Sequence, residues 1–92
     1  MAISEEEMRR LRDLKSKYEA DLMRKANVVG VGIGFRHRRG RRTDQLALVV
    51  SVTHKVPISQ LDAEDIVPRE LDGVPVDIEA VGTLRAFNAG GE

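Results

Sequence analysis

The residues with the clearest potential for chemistry are two histidines, His37 and His54, and Ser51, three positions before His54. A serine hydrolase needs a histidine within hydrogen-bond distance of its serine. Residues three apart on a strand point to opposite faces, so Ser51 and His54 are not expected to meet. Catalytic zinc sites use about three protein ligands, which two histidines in a cysteine-free chain do not supply. We therefore expect no catalytic residue, no metal site and no enzymatic activity.

A glycine run and an acidic cluster are each similar to a ligand-binding motif but lack some of its residues. The run Gly30-Val31-Gly32-Ile33-Gly34 has Phe35 where a dinucleotide fingerprint needs its third glycine, and no helix is expected after it. The acids Asp62, Glu64 and Asp65 lack the glycine and the terminal glutamate of a calcium loop, so helix capping explains them better. We therefore expect no cofactor, and unrecognised carboxylate chemistry stays only a weak third hypothesis.

Charge is segregated along the chain although 15 Lys and Arg balance 15 Asp and Glu. Residues 36–42 hold five arginines and no acid: Arg36, Arg38, Arg39, Arg41 and Arg42. Residues 61–79 hold seven acids and one base. Three interpretations stay open for this basic patch: a solvated hairpin tip, a nucleic-acid contact, or a contact with the acidic segment of a neighbouring copy. Zero net charge and few nearby aromatic residues count against nucleic acid.

Length and composition limit the remaining choices. A chain of 92 residues forms one domain, which we assign to residues 1–86, with a flexible tail at 87–92. The absence of cysteine excludes disulfides, and the longest apolar run is far too short to span a bilayer. We therefore expect a cytoplasmic protein with no membrane partner.

The N-terminal helix is specified by local signals. Ser4 is a good N-cap, Glu7 completes a capping box, and Ile3 and Met8 form a hydrophobic staple. One apolar stripe then follows the helical period: Met8, Leu11, Leu14, Tyr18, Leu22 and Ala26. On the other face acids precede bases by four residues, in the pairs Glu5/Arg9, Glu6/Arg10, Asp13/Lys17 and Asp21/Lys25.

After Asn27 the apolar period changes to two, which predicts strands. The first strand places Val29, Val31, Ile33 and Phe35 on one face and its glycines on the other. In the second strand, residues 45–54, the bulky face is Leu46, Leu48, Val50 and Val52. Between them lies a polar hairpin in which Gly40 takes a positive φ.

The last part of the chain predicts a turn and a third strand. Ser59 or Asp62 caps a short helical turn that ends before Pro68. Asp72-Gly73 is a turn signal, and the strand after it has one wet face, with Val74, Val76, Ile78 and Ala80 on the other. Pro75 requires this strand to lie at an edge or to begin there.

These elements predict a two-layer α+β domain in which the long N-terminal helix packs on a three-stranded, mostly antiparallel sheet. The face away from the helix carries small residues and is our candidate interface: Gly30, Gly32, Gly34, Ser51 and Thr53. Alternatively, the glycines relieve crowding against residues 56–71. The uncharged, β-prone run at 46–52 favours an interface, because a homo-oligomer would cover it.

Four segments in order carry a family resemblance: residues 27–34 (Asn-Val-Val-Gly-Val-Gly-Ile-Gly), 43–50, 55–61 (Lys-Val-Pro-Ile-Ser-Gln-Leu) and 66–77. Together they resemble the N-terminal region of bacterial trypsin-like serine peptidases related to the plant narrow-leaf protease, over residues 8–86. The resemblance implies the non-catalytic leading module, encoded alone or as a fragment, because no position matches the catalytic motifs. The expected function is an interaction or oligomerisation module that assembles or regulates a peptidase; the alternative is a nucleic-acid-binding module.

Overall fold

The computed structural model describes residues 3–82, and they form a helix packed on one sheet. The elements are α1 (Glu5–Met23), β1 (Val28–Arg38), β2 (Arg41–Val52), β3 (Glu70–Leu71) and β4 (Val74–Ala80). The helix contributes buried leucines to a core shared with the strands, so the predicted two-layer α+β fold is confirmed. The tail predicted at 87–92 lies outside the described residues.

The start of α1 follows the sequence prediction. The Ser4 side chain accepts a hydrogen bond from the Glu7 backbone N–H at 3.0 Å, and Ile3 and Met8 pack against the core. The predicted apolar stripe is correct as far as Leu22, but α1 ends at Met23 and Ala26 is exposed. Asn27 has a positive φ of 70°, which ends the helical continuation and turns the chain into β1.

The sheet has four strands in the order β1-β2-β4-β3, which corrects the predicted three-stranded sheet. β1 pairs antiparallel with β2, and β3 pairs antiparallel with β4, but β2 and β4 are parallel. Parallel neighbours need a long crossover, and residues 53–69 between β2 and β3 provide it. The sequence pattern predicted where β4 lies in the chain, but not that it runs parallel to β2.

The second half of the crossover contacts the end of α1 and the core. It contains two single 3₁₀ turns, Ile58–Gln60 and Ala63–Asp65; Asp62 precedes the second turn but makes no side-chain cap bond. The Lys25 ammonium donates to the Glu64 carbonyl oxygen at 2.7 Å, and the Ala26 N–H donates to an Asp65 carboxylate oxygen at 2.9 Å. Val67 packs against the core shared with α1. The crossover is therefore anchored to the end of the helix.

The helix-facing side of the sheet forms the core. The predicted bulky residues of β2 are all buried, together with Val74 and Val76 of β4, whereas Ile78 is partly exposed. A register shift between Val28 and Gly30 makes Val28, rather than the predicted Val29, the core residue at the start of β1. Such a bulge adds one residue and reverses the alternation locally.

Two tight hairpin turns share one geometry. Arg39 and Gly40 between β1 and β2, and Asp72 and Gly73 between β3 and β4, have φ values of 54°, 78°, 50° and 82°. Two successive positive φ angles are characteristic of a type I′ turn, which matches the twist of the flanking strands. The prediction of a positive φ at Gly40 is confirmed. Pro75 is the second residue of β4 and lies opposite Glu70, near the start of the strand.

The ion pairs differ from those predicted on the helix surface. Within residues 3–82 the pairs between Lys or Arg and a carboxylate are Lys15–Glu19, Lys17–Asp72 and Asp21–Arg24. Lys17 therefore pairs with the β3–β4 turn rather than with Asp13, and Lys25 binds the crossover rather than Asp21. Partners from other elements compete with i,i+4 partners, which contribute only about 0.2–0.5 kcal/mol.

Candidate interaction surface

The sheet side away from α1 is called the open face below, and the strand register defines it. Three rows cross it: Gly30, Ser51 and Glu79; Gly32, Val49 and Asp77; and Gly34 beside Ala47. Residues opposite each other on paired strands share a face, so these side chains lie on one surface. Four of the five predicted interface residues, the three glycines and Ser51, are on it.

The three glycines differ in the space above them. A Cβ at Gly32 would meet no described atom within 4 Å, and one at Gly30 would meet Ser51 Cβ at 3.7 Å. At Gly34 a Cβ would come within 3.1 Å of Val49 Cγ2. Glycine at position 34 therefore avoids a close contact with Val49 on β2. No residue of the 56–71 segment is among these contacts, although Val56, Ile58 and Leu61 line the same cavity as Gly32 and Gly34.

Thr53 lies beyond the strand rows that define the open face. β2 ends at Val52, and the Thr53 backbone bonds to Asn27 and Gly82 beyond the strand. Its hydroxyl lies 3.0 Å from His54 Nδ1, whereas Ser51 lies on the strand beside Gly30. The hydroxyl closest to the imidazole thus belongs to Thr53, which agrees with the expectation that Ser51 and His54 do not meet.

One end of the open face is closed by the β1–β2 hairpin. The His37 backbone N–H donates to an Asp77 carboxylate oxygen at 2.6 Å, although β2 lies between β1 and β4. The distal half of the hairpin must therefore bend over the open face, and Ala47 beneath it is fully buried. A register shift between Phe35 and His37 marks the position of the bend. The open face is thus closed near Ala47 and uncovered near Gly32.

The basic patch lies on this bent hairpin. Arg36 donates to the Gln45 side chain at 3.3 Å, and the Arg42 guanidinium lies over the Phe35 ring, 4.3 Å from its centroid. Arg38, Arg39 and Arg41 are exposed, and none of the ion pairs within residues 3–82 includes them. Three arginines are therefore exposed, while Phe35, the aromatic residue of the hairpin among residues 3–82, is already stacked against Arg42.

The acidic segment is divided by the fold into bonded and exposed groups. Asp65, Asp72 and Asp77 accept hydrogen bonds from other elements. Exposed acids occur at Asp62, Glu64, Glu70 and Glu79. Asp62 and Glu64 lie close to the start of β1, because Asp65 is bonded to Ala26. This places negative charge at the end of β1 opposite to the arginines.

The sequence reasoning did not identify Asp72 as an anchor for α1. Its side chain accepts hydrogen bonds from Lys17 Nζ at 3.3 Å and Tyr18 Oη at 3.2 Å, and its carbonyl accepts one from Arg10 at 2.9 Å. The hydrogen bond and charge of Asp72 raise the pKa of Lys17 above its ordinary value of 10.5, and Tyr18 adds to the rise. Asp72 and its partners on α1 are more than 50 residues apart in the sequence, so no short-range pattern predicted these contacts.

The outer edge of β1 was also not recognised from the sequence. β1 is the first strand in the sheet order, so β2 pairs with one of its edges and no strand of residues 3–82 pairs with the other. At the opposite side of the sheet β3 has two residues and pairs only with the start of β4, so the edge continues along residues 77–80 of β4, which include the acids Asp77 and Glu79. β1, in contrast, has 11 residues. From Val28 to Phe35 the strand has no charge and no proline, the usual means of blocking an edge. This composition was visible in the sequence, but only the sheet order showed that the uncharged run lies at an edge.

Neither a metal cluster nor a membrane helix is found in the part of the chain described. No three His, Asp or Glu side chains among residues 3–82 come together as metal ligands. In the same range, no helix combines the length and apolar character needed to cross a bilayer.

The comparison with known families identifies one match. The model of the NARROW LEAF 1 N-terminal domain matches residues 3–82, which are the residues that form the helix and the sheet. The comparison with curated proteins gave no match.

Proposed function

This chain belongs to the NARROW LEAF 1 N-terminal domain family, and from that premise we propose that it is a non-catalytic interaction module that associates with copies of itself. One observation carries the proposal: the uncharged surface formed by β1 is uncovered within residues 3–82, at its outer edge and above Gly32. Exposed edges of this kind promote association unless a partner covers them.

The size of the domain supports self-association. A domain near 90 residues buries roughly 60–65% of its unfolded surface, so additional burial against a copy is a large relative gain. Symmetric pairing also needs no second gene product, because one surface patch serves both subunits. We place this self-association in the cytoplasm, because disulfides are rare in cytosolic proteins and this chain has no cysteine.

We propose further that the module assembles or regulates a trypsin-like serine peptidase, as in the bacterial peptidases that the sequence resembles. The support is the ordered succession of sequence segments, together with the absence of catalytic motifs in the chain. In such an assembly the module would set how many peptidase units are held together, and catalysis would belong to the peptidase.

The test of self-association is a mass measurement. We expect light scattering of the full chain to give a mass above the 10.2 kDa of one chain at high micromolar concentration, decreasing on dilution. A constant monomer mass would overturn the proposal.

A DNA-binding measurement on the same protein distinguishes self-association from the nucleic-acid alternative. Arg38→Ala combined with Arg39→Ala removes two exposed arginines. If they bind phosphate, duplex DNA should be retained in gel-shift titrations and the salt slope should decrease by about two. We expect little DNA retention by either protein. Unchanged mass together with salt-sensitive DNA binding would replace our proposal with the alternative.

A further inference from the structure

We propose that two copies of this chain pair through the outer edges of β1, antiparallel and about a two-fold axis at Gly32, which joins two four-stranded sheets into one of eight strands. The inference rests on the proposed self-association and assigns it to an edge rather than to the open face. It commits to a second copy as the partner.

The first argument is that the edge is complementary to itself. The run Gly30-Val31-Gly32-Ile33-Gly34 reads the same in both directions by side-chain size. With Gly32 opposite Gly32 of the second copy, Gly30 lies opposite Gly34, and Val31 lies opposite Ile33. Glycine therefore meets glycine on the open face, and branched aliphatic residues meet on the helix face. This register keeps the faces of the two sheets continuous, whereas a slip by one residue would exchange them.

The second argument is charge complementarity at the two ends of the pairing. Val28–Phe35 contains no charge, so no like charges oppose each other at the centre. Beyond it, Arg36 would lie opposite Val28 of the second copy, near the start of that strand and before the bend that carries Arg38 over the open face. Near the start of its β1 the second copy carries Asp65, bonded to Ala26, and the exposed Glu64. Lys25 lies in the same place, but its ammonium is bound to the Glu64 carbonyl oxygen.

The two-fold axis produces this basic-to-acidic contact twice. A closed dimer follows, because the two-fold axis pairs the one edge of each β1 that no strand of residues 3–82 occupies.

The decisive experiment uses the absence of cysteine from the chain, since each introduced cysteine is then the only thiol. Chains carrying Val31→Cys and chains carrying Ile33→Cys are mixed and mildly oxidised. Directly opposed residues on paired strands have Cβ atoms about 4.5–5.5 Å apart, close enough for a disulfide after small adjustment. We expect the mixed disulfide, identified by intact mass, to exceed the background set by the exposed Ala80→Cys several-fold.

Cross-linking at Ser51 reports the competing arrangement, in which two open faces stack. Strong Ser51→Cys homodimers without a Val31–Ile33 cross-link would overturn the edge pairing and leave self-association standing. A monomer mass with no cross-link above background would overturn both. Gly32→Cys, where a Cβ meets no described atom within 4 Å, provides a second reporter at the centre of the edge if the other cysteines perturb folding.

Two further variants separate edge from face without cysteine. Gly32→Val adds a side chain to the open face, which edge pairing tolerates and face stacking does not, so we expect the dimer dissociation constant to change less than about threefold. Weakening beyond tenfold would contradict the edge. Arg36→Glu should weaken the dimer by about 2- to 10-fold, and adding Glu64→Lys should restore it, because the charges are exchanged. No recovery in the double variant would contradict the proposed contact.

Discussion

The two sides of the sheet use neighbouring residues of the same strand in opposite ways. On the helix side, Val50 is fully buried among residues of α1 and three strands. One position earlier, Val49 lies on the open face and is only partly buried. The helix side contains the buried core of the chain, whereas the open face and the edge beside it are the surfaces that we consider for association. Strand alternation makes this separation possible, because each residue belongs to one face only.

The largest expected effect comes from making the same substitution, valine to alanine, at two adjacent positions of β2 that face opposite sides of the sheet. Val50→Ala should lower the free energy of unfolding by about 2 kcal/mol, because two buried methyl groups are lost and a cavity is left. Val49→Ala should cost about half of that or less. Urea unfolding at low protein concentration measures both. Equal losses would show that the open face is packed as tightly as the core.

A smaller effect is expected where the hairpin bends over the open face. Asp77→Ala removes the acceptor of the His37 N–H and should lower the free energy of unfolding by about 1 kcal/mol. The matched control is Glu79→Ala, two residues along the same strand and on the same face, which should stay within about 0.5 kcal/mol. If both variants behave alike, the bond to His37 does not hold the bend.

The smallest effect concerns the helix side and depends on pH. The pKa of Lys17 is raised by Asp72, so the charged ammonium is favoured in the folded chain. Its stabilising contribution is complete below the ordinary pKa of 10.5 and is lost as the pH rises through the raised folded value.

The measurement compares wild type with Lys17→Gln in urea at several pH values. We expect a constant difference between pH 7 and about 10, and a decrease at higher pH. The exposed Lys55→Gln serves as the control and should show a smaller difference throughout. A difference that grows above pH 10.5 would have the wrong sign and would reject the Lys17–Asp72 interaction.

Local signals in the sequence were sufficient for the elements themselves. Ser4 and Glu7 located the helix start, because a cap involves groups three residues apart. The alternation in β2 assigned its four core residues correctly, and Asp72-Gly73 and Gly40 located the two turns. Period, capping and turn chemistry act over a few residues, so the sequence alone determined a helix-on-sheet domain.

Tertiary structure alone decided how those elements are joined, and therefore which edge our proposal assigns to a partner. The direction of β4 and the contacts Lys17–Asp72 and His37–Asp77 depend on residues at least 28 positions apart, and the position of β1 at the sheet edge depends on the order of all four strands. The bulge at Val29 likewise depends on the partner strand. No short-range pattern encodes these pairings, because their free energy is gained only when distant segments meet. The glycine run was visible in the sequence, but only the sheet order placed it at an unpaired edge.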